Sequence, residues 1–86
     1  MDPHKIVLYP LMGEKATMLR EKENKLSFMV AKDAVKKDIK EAVETLYNVK
    51  IISLDSMITS TGQKKVHVRL DAKYSAEEVA SHFGVL

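Results

Sequence analysis

The apolar residues of this 86-residue chain change their spacing twice, and that change limits the fold more than any other feature. Leu26, Phe28 and Val30 stand two apart. Val35, Ile39, Ala42, Val43 and Leu46 then follow at spacings of four, three, one and three. Val66, Val68 and Leu70 return to a spacing of two. A period of two puts side chains on one face of a strand, and a period near 3.6 puts them on one stripe of a helix. The chain must therefore bury a helix stripe against a sheet face. The 45% hydrophobic content is enough for such a core and too high for disorder. A domain this short buries only about 60–65% of its unfolded surface, so modest stability is expected.

The remaining elements fall around these three. Lys5 to Tyr9, with Ile6-Val7-Leu8, reads as a short strand stopped by Pro10. Gly13 is a tolerable N-cap for a polar helix carrying Ala16 and Leu19, which Asn24 ends. Lys25 to Ala31 is a half-buried strand. Asp33 is the expected cap of the long helix, and Asn48 its left-handed end. Val49 to Ser60 reads as a strand whose Ile51-Ile52 pair breaks alternation and predicts a bulge. Thr61-Gly62-Gln63 is a turn into the strand Lys64 to Leu70, which makes a hairpin. Ser75-Ala76-Glu77-Glu78 is a capping box for a last short helix ended by Gly84. The order is strand, helix, strand, helix, strand, strand, helix. It predicts one α+β domain over residues 1–86, with a mostly antiparallel four-stranded sheet and helices packed on it.

Several function classes drop out. There is no cysteine, which removes disulfides and thiolate chemistry and fits a reducing compartment. No apolar run nears the roughly 18 residues of a membrane span, and no secretory signal opens the chain. His4, His67 and His82 lie on different elements, without metal-ligand spacing, and read as surface or rim residues. No nucleophile elbow or phosphate-cradling loop is present among three glycines. Glu77 and Glu78 suit helix capping. Neither catalytic residues, nor a metal, nor a cofactor is expected.

The net charge of +2 says little about nucleic acid, but its distribution says more. Lys65, His67 and Arg69 alternate with the apolar face of the last strand, in a row spaced about 6.5–7 Å apart. Lys64 extends the row toward the turn. Lys36 and Lys40 lie clear of the long helix's apolar stripe, with Lys37 close by. Phosphate binding needs such donors on a free surface. Phe28 is in phase with the core, so sheet-face base stacking of the RNA-recognition-motif kind is not expected. The last sixteen residues carry Asp71, Glu77 and Glu78 against Lys73, an acidic end suited to a protein neighbour. On these grounds an RNA-binding protein and a ferredoxin-like ligand module both stand. An acylphosphatase-like hydrolase lacks an arginine in the loop Tyr9 to Gly13.

Several stretches break the tie. Pro10-Leu11-Met12-Gly13-Glu14-Lys15-Ala16, Asn24-Lys25-Leu26-Ser27-Phe28-Met29-Val30 and Lys36-Lys37-Asp38-Ile39-Lys40-Glu41-Ala42-Val43-Glu44 come in order. Val49-Lys50-Ile51, Lys64 to Leu70, and Glu78-Val79-Ala80 with Gly84-Val85 follow. In motifs and spacing, over residues 6 to 86, the chain resembles the universal family of large ribosomal subunit protein 23, archaeal type. It departs from the family pattern at Gly13, where a hydroxyl residue is usual, and at Asp55-Ser56, where Asn-Thr is common. The resemblance implies a structural constituent of the large subunit that binds rRNA near the polypeptide exit tunnel and helps form a docking surface for nascent-chain factors. It implies contact with large ribosomal subunit protein 29, transient contact with the signal recognition particle, and a cytoplasmic, ribosomal location. Away from the ribosome a monomer is expected. Lys15, Asn24, Lys25, Lys36, Lys37, Lys40, Lys64, Lys65, His67 and Arg69 are the expected RNA contacts.

Overall fold

The computed structural model describes residues 2–83. Its elements are α1 (Pro3–Ile6), β1 (Val7–Pro10), α2 (Glu14–Glu23), β2 (Lys25–Val30), α3 (Lys36–Tyr47), β3 (Ile51–Ile58), β4 (Lys64–Leu70) and α4 (Ala76–Ala80). The α+β order expected from the sequence holds, with one addition. Lys5 and Ile6 are helical rather than extended, because Asp2 Oδ1 accepts from His4 N at 3.0 Å and caps a turn. Pro3 sits at its first position, where a preset φ and a missing N–H cost nothing. A local cap outweighs the β-propensity of two residues at a sheet edge. The end of α4 expected at Gly84 lies outside the described residues.

The four strands lie in the order β1-β2-β4-β3, and every neighbouring pair is antiparallel. The chain leaves β2, crosses over β4 as α3, and returns along β3 before the hairpin brings it back to the centre. Gly62 makes the hairpin turn at φ +85°, a conformation that favours glycine. The expected bulge is real: register shifts between Ile51 and Ser53. The side chain of Glu44 on α3 accepts from the Ile51 N–H at 2.9 Å, so the irregularity leaves no orphan donor there.

One sheet face carries Leu26, Phe28, Val30, Val66, Val68 and Leu70, all buried. Ile39, Ala42 and Val43 of α3 and Ala76 and Ala80 of α4 close over it. Phe28 stacks on Tyr47 with ring centroids 5.4 Å apart, and Phe83 meets both rings edge-on. Burial raises the Tyr47 pKa.

Both asparagines end their helices as expected, and Asn24 at φ 54° adopts the left-handed conformation expected of Asn48, which has φ 53°. The cap of α3 differs from expectation. Val35 occupies the N-cap without a side-chain bond, and Asp33 lies in the turn before it. At α4, Ser75 Oγ accepts from Glu78 N at 3.2 Å.

Candidate nucleic-acid interface

The same strands present a second set of side chains on the opposite face. Cross-strand pairing groups them in three rows. Lys25, Arg69 and Ser53 form the first, Ser27, His67 and Asp55 the second, and Met29, Lys65 and Met57 the third. Directly paired residues share a face and lie about 4.5–5.5 Å apart at Cβ. The register therefore gathers Lys25, Lys65, His67 and Arg69, which come from two separate segments of sequence. The first turn of α2 reaches the same place with Lys15, beside Ser27, Lys65 and His67.

These cations differ in how far they are committed within the protein. Lys25 Nζ lies 3.2 Å from Glu23 and 3.9 Å from Asp55, which offsets part of its charge. Arg69 Nε donates to the Glu23 carbonyl at 3.2 Å, which aims the guanidinium along the end of α2. Among the described residues, no carboxylate lies within 4.0 Å of the charged groups of Lys15, Lys65 or Arg69. Those three carry the positive field of the face.

His67 corrects a sequence expectation. It is no surface or rim residue, being only 8% exposed. Alternation put it on the free face correctly, but Leu11 and the first turn of α2 come down beside it. Its Nδ1 shares a 2.7 Å hydrogen bond with Ser27 Oγ. Burial lowers its pKa, and Lys65, Lys15 and Lys25 lower it further, against a smaller opposite pull from Asp55. The ring is therefore neutral near pH 7.

The other expected contacts separate. Lys64 pairs with Val30 on the helix-covered face, and its Nζ donates to the Ala34 carbonyl at 2.6 Å, pinning the loop into α3. Asn24 makes three hydrogen bonds inside the protein: Nδ2 donates to Leu70 O and Tyr74 O, and Oδ1 accepts from Ala76 N at 2.8 Å. That ties the end of α2 to β4 and the start of α4, and it commits both amide hydrogens within the protein. Lys36, Lys37 and Lys40 are exposed on α3, which lies against the covered face. The ten expected residues thus make a sheet-face cluster of five, a separate helix group of three, and two structural ties. Sequence reasoning missed Ser27 and Ala16. The period-two pattern of β2 put Ser27 on the free face, but nothing local announced that His67 would be its partner.

A two-layer α+β fold with one side sealed by helices and a lysine-rich opposite side defines a small binding protein. The match to known proteins is specific. The family model for ribosomal protein L23 matches residues 5–78. Large ribosomal subunit protein uL23 of Methanococcus vannielii is 40% identical over 85 residues, covering 99% of both chains. The protein of the same name from Methanococcus aeolicus gives the same identity and coverage. Large ribosomal subunit protein uL23A of Caenorhabditis elegans is 44% identical across this whole chain and 58% of its own length.

The chain belongs to the ribosomal protein L23 family. It is a structural constituent of the ribosome and not an enzyme, it works in the cytoplasm among rRNA and other ribosomal proteins, and the ligand-module reading falls away. No described helix is long and apolar enough to cross a membrane.

Proposed function

We propose that the chain is a primary rRNA-binding component of the large subunit near the polypeptide exit tunnel. It holds phosphates through Lys15, Lys25, Lys65 and Arg69, with His67 beside them. The observation that carries this reading is the cross-strand register, which collects Lys25, Lys65, His67 and Arg69 on the face opposite the helix-covered core, with Lys15 of α2 beside them. Phosphate contacts position a protein on RNA without needing base edges, and a rigid sheet with lysines at fixed spacing suits that task. Lys36, Lys37 and Lys40 on α3 form a second contact with a different rRNA segment, because one rigid helix face cannot follow the sheet's other side. The acidic α4, with Glu77 and Glu78 exposed, faces a protein neighbour. Large ribosomal subunit protein 29 and, transiently, the signal recognition particle are the partners in this reading, and the chain helps form the docking surface for nascent-chain factors.

Salt titration tests the interface. With about 4–6 phosphates neutralised, log affinity for an rRNA fragment falls against log salt with a slope of about −3 to −5. A flat response would rule out the phosphate contacts.

A further inference from the structure

Beside the lysine row lies a hollow of about 210 Å³, walled by Leu11, Gly13 and Ala16 and floored by Ser27 and His67. Lys15 and Lys65 stand among its lining residues. Its walls are apolar where its edge is cationic. We propose that this hollow receives one base of large-subunit rRNA, extruded from a loop or bulge, whose own phosphate is held by Lys15 and Lys65. The inference rests on the rRNA-binding reading above and adds to it a base contact that the lysines alone cannot make.

Three observations carry it. The first is His67. The residue is 8% exposed, and the Ser27 hydroxyl occupies Nδ1. Among the described residues its Nε2 has no hydrogen-bond partner, yet it is not sealed off from outside. His67 lines the recess, so this ring nitrogen is available to a ligand there. The Ser27 hydroxyl either donates to Nδ1 or accepts from it, so Nε2 presents a hydrogen or a lone pair accordingly. Both kinds of partner occur on base edges.

The second is the wall. A phosphate gains nothing from Leu11, Gly13 and Ala16, whereas a planar base gains contact area over both of its faces. The volume is about seven times the ~30 Å³ of a water molecule in the liquid, and below the roughly 300–1,000 Å³ of a drug-sized pocket. It suits one ring system and no more. Single-stranded loops and bulges supply such bases, since their unstacking cost is small.

The third is the backbone of the rim. A Cβ built on Gly13, one of the lining residues, meets no atom within 4 Å, so a larger side chain fits there without a clash. The residue has φ −69°, an ordinary conformation that any side chain adopts. Its glycine is thus not demanded by backbone geometry.

The experiment uses the full chain and a tiled set of large-subunit rRNA fragments, scanned with single abasic substitutions in the retained fragment. Two variants fill the hollow. Ala16→Leu does so from its buried wall, and Gly13→Leu from the exposed rim, where the fold has room for it. The expected result is one unpaired position whose abasic form weakens wild-type binding about tenfold, the range of one stacked or buried base. Each filled variant binds the intact RNA weaker by a similar factor, loses less than twofold more at that position, and keeps the wild-type salt slope. The proposal is overturned if no unpaired position behaves this way, or if Gly13→Leu leaves the abasic effect intact. Salt-independent binding, or none to any fragment, would overturn the rRNA-binding reading itself, and that outcome is told apart by the salt series on the wild type.

Discussion

The two faces of this sheet are built from the same strands and follow opposite rules. On the covered face, Val66, Val68, Phe28 and Leu26 are sealed under α3 and α4, and their worth is in packing. On the other, Arg69 is exposed and Lys65 and Lys25 are half-buried, so their charges stay near water. One residue step along β4 moves a side chain from one regime to the other. His67 shows that the second face is not simply the solvent side. It belongs to the charged face by register and to a buried environment by tertiary contact, and its pKa falls accordingly.

That contrast breaks most visibly on the covered side. Phe28→Ala removes the centre of the aromatic cluster and should cost about 3–5 kcal/mol. In a domain of this size each kcal/mol shifts the thermal midpoint by about 4–8 °C, so calorimetry should find a domain barely folded at 37 °C. Asn24→Ala comes next. It strips three hydrogen bonds and puts a β-carbon residue without a polar side chain at φ 54°, for a loss of about 2–4 kcal/mol. Asn24→Gly should recover only the conformational part in a denaturant titration. A stability-neutral Asn24→Ala that abolishes RNA binding would reverse the role assigned to this residue.

The boundary between the faces is probed by pH. The folded-state pKa of His67 lies below its ordinary value, so the unfolded chain binds its proton first as pH falls. The stability present above about pH 6.5 is then lost as pH drops toward the folded-state pKa. Thermal midpoints measured from pH 7.5 to 5 should decline, and His67→Asn should remove part of that slope. An identical slope in the variant would mean that His67 is freely solvated.

Smaller effects are expected on the charged face. Lys65→Glu with Arg69→Glu should alter folding stability by about 0.5 kcal/mol or less. In the same protein RNA affinity should drop more than tenfold and the salt slope should become shallower by about 1–2. Smallest of all, Gly13→Ser gives α2 a side-chain cap where none exists and should add a few tenths of a kcal/mol. Urea titration of both proteins resolves a difference of that size if run side by side.

Much of the fold was legible because it rests on local rules. The switch of period marked β2, α3 and β4, Asn24 and Asn48 marked helix ends, and Asn48 did so through its tolerance of positive φ. The broken alternation at Ile51-Ile52 marked the bulge. The misses were local competitions between near-equal choices. Asp2 and Pro3 built a turn where Lys5 and Ile6 read as strand, and the chain entered α3 through Val35 although Asp33 was a better cap by type.

The candidate site was legible only by halves. Periodicity by itself determined that Lys65, His67 and Arg69 leave the core side of their strand, because side-chain direction alternates with every residue. It could not determine what stands opposite them, because cross-strand register is set by residues some 40 positions apart. Only the tertiary structure brought Lys25 and Lys15 to that row, turned Lys64 and Asn24 into internal ties, set Ser27 against His67, and left a hollow beside them. The division follows from range: a sequence fixes the direction of a side chain within its own element, whereas packing decides whether that direction ends in water, in another chain's charge, or against a neighbour.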